Sequence, residues 1–188
     1  AAGAVEGGGY DIVIRSGRVV DGTGNPWVVA DVAISGGRVA AIGRLGRVDE
    51  VIVIDGSGLI VAPGFIDVHT HVDRAIAAHP EVANYLLQGV TTVVGGNCGG
   101  SRLPLAELFA KLERTGIALN FASFVGHNTV RREAMGNDDR PPASAELTRM
   151  QELVRQEMAA GALGLSTGLA YLPGQFASTE EIIELARA

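Results

Sequence analysis

Two hydrophobic rhythms divide the chain. As far as residue 62, apolar residues alternate with polar ones in short β-type runs at 10–15, 18–20, 27–35, 38–42, 51–54 and 59–61, separated by Gly, Asn, Asp and Pro. Ser35-Gly36-Gly37 between two alternating runs is a hairpin signal, and residues 21–26 form a turn-rich loop. The pattern predicts a small, mostly antiparallel β unit. Its glycines lie between strands and open no helix, which argues against a phosphate-binding loop. Residues 1–9 are small and glycine-rich and read as a flexible tail.

After Pro63 strand-like runs alternate with helical stripes. Pro80 at a first helical position, Val82, Tyr85 and Leu86 on one side and Gly89 as a stop predict a helix over 80–88. A β-branched run at 90–94 suits a buried parallel strand. Leu105, Leu108, Phe109 and Leu112 recur at i, i+3, i+4 and i+7, with Gly116 closing the helix. A strand over 117–125 follows, and then a polar insertion at 126–143. Leu147, Met150, Val154 and Met158 form the next stripe, which assigns both methionines to the core and ends at Gly161. A strand over 163–169 and a capping box, Ser178 to Glu181, opening a helix over 182–187 complete the pattern.

Four β/α units thus begin near 64, 90, 117 and 162, predicting a parallel sheet or barrel with helices outside. A (β/α)8 barrel needs about 250 residues, whereas 188 minus 62 leaves 126. The expected fold class is therefore α/β: the first half of a TIM-type barrel over 63–188, preceded by part of a small β domain over 10–62. On that expectation the chain is a truncated enzyme with little turnover of its own.

Composition narrows the partners. A net charge of -6 and a pI near 5.2 leave no electrostatic footprint for nucleic acid. No apolar run approaches the roughly 20 residues that span a bilayer, and the first nine residues lack a signal-peptide pattern, so a cytoplasmic address is expected. The single Cys98 cannot form an internal disulfide. Lys111 is the only lysine among 15 basic residues.

The chemistry concentrates at strand ends. In an extended chain Phe65, Asp67, His69 and His71 share one face, and Ile66, Val68 and Thr70 the other. Two imidazoles at i and i+2 can hold one divalent metal, or can be two separately bonded histidines. Parallel strands bring their C-terminal ends to one rim, which would collect His69 and His71, Asn97-Cys98, His127 and residues 166–171. Cys98 alone reads as a buried small hydrophobe; beside two histidines it reads as a thiolate zinc ligand. His79 reads as a helix-entry or surface residue.

These stretches carry a resemblance. VAPGFIDVHTH at 61–71 resembles the first-strand signature of the amidohydrolase superfamily, metal-dependent hydrolases on a TIM-type barrel, and DIVIRSGRVVDGTGNP at 11–26 resembles the opening of its flanking β domain. GVTTVVGGNC at 89–98, GHNTVRREAM at 126–135 and GLSTGLAYLPG at 164–174 are similar to the N-acyl-D-amino-acid deacylase branch. The resemblance implies His69 and His71 as ligands of one metal position and Cys98 as ligand of a firmly held zinc. It implies Tyr171 as a donor to the substrate carboxylate or amide, Arg131 as a second anion contact, and His127 beside the substrate.

Many superfamily members use a carboxylated lysine from the fourth strand; here that strand offers Ser166 and Thr167, which favours the cysteine type. Two further histidines and a general-base aspartate would lie after Ala188. The implied reaction is zinc-dependent hydrolysis of N-acyl-D-amino acids, with a small molecule as partner. A cyclic-amide hydrolase of the dihydroorotase or hydantoinase kind, and a non-catalytic scaffold member, are the rival readings. Unpaired strand edges would make oligomers possible.

Overall fold

The computed structural model describes residues 9–48 and 52–188. The chain divides into two compact units between Pro63 and Gly64, each described by itself.

In the first unit β1 (Ile12–Val19) is the centre of the sheet. It pairs antiparallel with β2 (Val28–Ser35), which pairs antiparallel with β3 (Arg38–Gly43). The hairpin between β2 and β3 turns through Gly36 and Gly37 at φ 57° and 73°, the two positive values of a type I′ turn. The runs expected at 10–15 and 18–20 are one strand. Ser16, at φ 57°, bulges it, and Asp31 receives the Ser16 N–H at 2.9 Å and the Arg15 guanidinium at 2.9 Å. The antiparallel expectation holds for only part of the sheet, because β4 (Ile52–Asp55) and β5 (Ile60–Val61) both run parallel to β1. Val51, expected to begin a strand, lies outside the described residues. Val13, Ala33 and Leu45 form the small core.

The second unit opens with β6 (Phe65–Asp67), a short 3-10 turn at Val72–Arg74, α1 (Ala83–Leu86) and β7 (Val90–Gly95). α2 (Leu105–Thr115), β8 (Asn120–Ser123), β9 (Val125–Gly126) and α3 (His127–Met135) follow. α4 (Ser144–Ala159), β10 (Leu165–Ser166), a 3-10 turn at Gly174–Phe176 and α5 (Thr179–Ala186) complete it. β6, β7 and β8 form a parallel sheet in that order, and β9 pairs parallel with β10. The parallel β/α reading is therefore correct.

Several expectations are revised. The helix expected over 80–88 is a single turn, because Val82 sits at φ 37°, outside the helical region. The polar insertion after the third strand contains a helix, α3, whose buried side includes His127, Asn128, Val130, Arg131 and Met135. Met150 is fully buried, but Met158 is 41% exposed and does not belong to the core. At the start of α5 only half of the capping box forms. Ser178 Oγ accepts the Glu181 N–H at 3.2 Å, while the Glu181 carboxylate is drawn to α3.

Two apolar clusters support this unit: Ile76, Val82, Val93, Leu112 and Leu119 around β7, and Leu105, Val125, Val130, Met150, Leu153, Val154, Ala162 and Leu185 among α2–α5.

Candidate metal centre

β6 ends at Asp67, so His69 and His71 lie just past it, on a segment fastened to β7. Thr70 gives its N–H at 3.0 Å and its hydroxyl at 2.9 Å to the Val94 carbonyl. The Asn97 amide donates to Val94 O at 2.9 Å and reaches Thr70 O at 3.4 Å. This buried asparagine locks the histidine segment to the loop that carries Cys98.

That loop, 96–99, needs its glycines. Gly96 and Gly99 sit at φ 71° and 73°, and Cys98 between them at φ 55°. A non-glycine residue in the left-handed region costs about 1 kcal/mol, so the surroundings must hold it there. They do so by close approach. A Cβ on Gly96 would fall 2.1 Å from Phe124 O, one on Gly99 2.2 Å from Asn128 Oδ1, and one on Gly168 2.1 Å from the Cys98 carbonyl. Ser166 closes the frame by accepting the Gly99 N–H at 3.1 Å and donating to Gly96 O.

The three expected donors converge. His69 Nε2 lies 3.3 Å from Cys98 Sγ, the two imidazoles stand edge to face with centroids 5.8 Å apart, and all three ligand atoms fall within 4.8 Å of one another. Both histidines are exposed and Cys98 is half-buried. A cleft of about 390 Å³ opens beside them, lined by His71, Cys98, Arg74, Asn128, Arg132 and Tyr171 among others. Tyr171, 58% exposed, is on this wall. His79 is exposed and faces a different hollow, as its reading as a surface residue allowed.

His127 and Arg131 are not in that cleft lining, and this corrects their expected place beside a substrate. Both are fully buried. His127 contacts Thr167 Oγ1 at 3.1 Å through Nδ1 and Glu181 Oε1 at 2.9 Å through Nε2. Arg131 pairs with Glu181 Oε2 and donates to the carbonyls of Asp138 and Arg140. Burial alone would raise the Glu181 carboxyl, but the hydrogen bonds from His127 and Arg131 outweigh it and hold the group below the usual glutamate range.

Arg74, Asn128 and Arg132 are cleft residues that the motifs did not single out. Arg74 had a local signal, three residues after His71, and Asn128 and Arg132 lie inside the 126–135 stretch that carried the resemblance. The buried Asp73 leaves Oδ1 without a hydrogen-bond partner among the described residues, and burial pushes its carboxyl up.

A thiol and two imidazoles gathered where parallel strands end define an α/β protein with a metal-type rim site. Residues 52–186 match the model of the amidohydrolase family, and the chain belongs to that family. It is 40% identical to D-aminoacylase of Alcaligenes xylosoxydans xylosoxydans, over 95% of this chain and 42% of that protein. It is 39% identical to N-acyl-D-aspartate deacylase of the same organism, over 94% and 40%. The crystal structure of N-acyl-D-glutamate deacylase from Bordetella bronchiseptica, complexed with zinc and a phosphonate inhibitor, superposes with a TM-score of 0.91 at 39% identity, over 96% of this chain and 43% of that one. The chain thus spans about two fifths of the length of the relatives it matches. No helix among the described residues is long and apolar enough to cross a membrane.

Proposed function

We propose that the whole protein hydrolyses the amide bond of N-acyl-D-amino acids, releasing a carboxylate and a D-amino acid, with zinc held in part by His69, His71 and Cys98. The observation that carries the proposal is the convergence of those three donors within 4.8 Å at an open cleft, in a chain about 40% identical to deacylases. The donor set fits zinc. Bonds of about 2.0–2.3 Å put neighbouring ligand atoms of a tetrahedral ion roughly 3.3–3.8 Å apart. The His69–Cys98 separation of 3.3 Å already lies at that value. When bound, zinc supplies Lewis acidity toward the scissile carbonyl and a more acidic water.

The protein's own groups divide the remaining work. Asn97 and the glycines at 96 and 99 fix the thiol before a ligand arrives, so little reorganisation is left for binding. The Tyr171 hydroxyl, exposed on the cleft wall, donates to the substrate carboxylate or amide. Proton transfer to the leaving amine is not assigned to a residue of this stretch. His127 and Arg131 support the wall from behind instead of touching substrate. The partner is accordingly a small molecule. We infer a cytoplasmic setting, because a ligand thiol must stay reduced.

The test pairs zinc content with hydrolysis of a panel of N-acetyl-D-amino acids by the whole protein. Bound zinc and release of the D-amino acid are expected, both lost in Cys98→Ala. Metal-free protein that still hydrolyses the panel, or activity indifferent to Cys98→Ala, overturns the proposal.

A further inference from the structure

Two guanidinium groups face the cleft beside His71 and Cys98, and a single α-carboxylate uses only one of them fully. Arg74 ends the 3-10 turn that follows His71, and Arg132 projects from α3. Arg132 spends one N–H on the Leu172 carbonyl at 2.9 Å. Among the described residues the Arg74 side chain donates no hydrogen bond and neither arginine forms an ion pair. Among the described residues no Asp or Glu lines this cleft. A second hollow of about 350 Å³, which shares Arg74, Gly100 and Arg132 with the first, reaches Ser101, Arg102, Thr129 and the buried Asp73. The positive lining is local, since the chain as a whole carries a charge of -6.

Two guanidiniums next to a site built for a cation repel each other and the cation, and Asp73 beside Arg74 offsets only part of that charge. A ligand with two negative charges removes that repulsion, and guanidinium–carboxylate bonds are the strong, directional kind. We propose that the cleft selects N-acyl-D-amino acids with a carboxylate side chain, Arg74 and Arg132 sharing the α-carboxylate and the side-chain carboxylate between them. This rests on the deacylase reading above and names its substrate class. Overall likeness does not make that choice, because identity is 40% to D-aminoacylase and 39% to N-acyl-D-aspartate deacylase.

The experiment compares N-acetyl-D-glutamate with N-acetyl-D-glutamine, and N-acetyl-D-aspartate with N-acetyl-D-asparagine, on the zinc-loaded whole protein. Members of each pair match in size and differ in charge. At least about tenfold higher kcat/KM for one acid over its amide is expected, as for a site whose polar groups need a partner. That ratio shrinks with added NaCl. Arg74→Gln or Arg132→Gln should bring it to within about twofold, and calorimetric binding of the same four compounds should show the same preference. Equal or better handling of the amides by the unaltered protein overturns the proposal whatever the variants do, and so does a ratio that neither substitution moves. Hydrolysis without acidic preference defeats this inference alone; no binding or hydrolysis of any of the four defeats the deacylase reading with it.

Discussion

Gly168 bears directly on the candidate centre from outside it. Its missing Cβ leaves the space that the Cys98 carbonyl occupies, and a methyl group there would lie 2.1 Å from that oxygen. The backbone has to give, and the residue that moves is a ligand. Gly168→Ala should therefore weaken zinc binding about tenfold or more, because second-layer changes of this kind typically cost 10–100-fold. Gly100→Ala is the control: it sits in the same loop region, and its Cβ would meet Asn97 O at an ordinary 3.8 Å. Competition with a chromophoric chelator measures both, and equal zinc affinity in the two variants would show that the close approach does not matter. Nothing in the sequence announces this contact, since residues 98 and 168 meet only once the strands are side by side. His69, His71 and Cys98 were legible because residue type and strand-end position suffice to nominate ligands. Arg131 and Arg132 show the opposite case. Adjacent helical residues point about 100° apart, so one is buried against Glu181 and the other lines the cleft. Without knowing that 127–135 is helical, the choice between them had no basis, and it fell on the buried one.

At the scale of elements, α3 and α5 are joined by a clamp. His127 and Arg131 are one helical turn apart on α3 and take the two oxygens of Glu181 from α5, all with side chains at most 1% exposed. Removing one partner leaves buried charge uncompensated, so Glu181→Gln should lower unfolding stability by ~3 kcal/mol, read from the midpoint of urea denaturation. Arg131→Met added to it should cost less than the sum of the two single changes, because the second substitution removes the orphaned charge. The same carboxylate sets an acid dependence. Its folded-state pKa is below the unfolded value, so the unfolded chain binds the proton first as pH falls. The clamp's contribution is fully present above about pH 4.5 and declines through the lowered folded pKa. Glu146, held near a pKa of about 2 by Arg140, titrates in the same region, and comparison with Glu181→Gln subtracts it. The slope of stability against pH below about pH 4.5 should be shallower in that variant; an unchanged slope assigns the acid sensitivity elsewhere. This clamp explains why α3 was missed. Its buried face mixes His127, Asn128 and Arg131 with Val130 and Met135, and a hydrophobic period cannot report a helix that buries this much charge.

For the molecule as a whole, pairing supplies the argument. The alternation of strand and helix patterns was enough to predict parallel strands, because a parallel pair needs a long crossover and the spacing of the runs provides one. It could not predict which strand faces remain uncovered. Among the described residues β6 pairs only with β7, and Phe65, Ile66 and Val68 are each 64–65% exposed along it. Among the described residues β8 has β7 as its one strand partner, with a single backbone bond on its other side, from Leu163 N–H to Ser123 O at 2.9 Å. An apolar edge with unpaired backbone groups is a template for another chain. We therefore expect the 188-residue chain, studied alone, to self-associate somewhere in the roughly µM–mM range, where unpaired strand edges drive association. Ile66→Lys should suppress this, because a charge on an edge strand resists being stacked against a second copy, while Ile66 contributes little to the core of its own unit. Sedimentation velocity across a concentration series measures the effect, with circular dichroism to show that folding is retained. A concentration-independent monomer for the unaltered chain would mean that this edge is satisfied in another way, and association equally strong in Ile66→Lys would move the contact to a different surface, for which the exposed Ile52, Val53 and Ile54 of β4 are the next candidates.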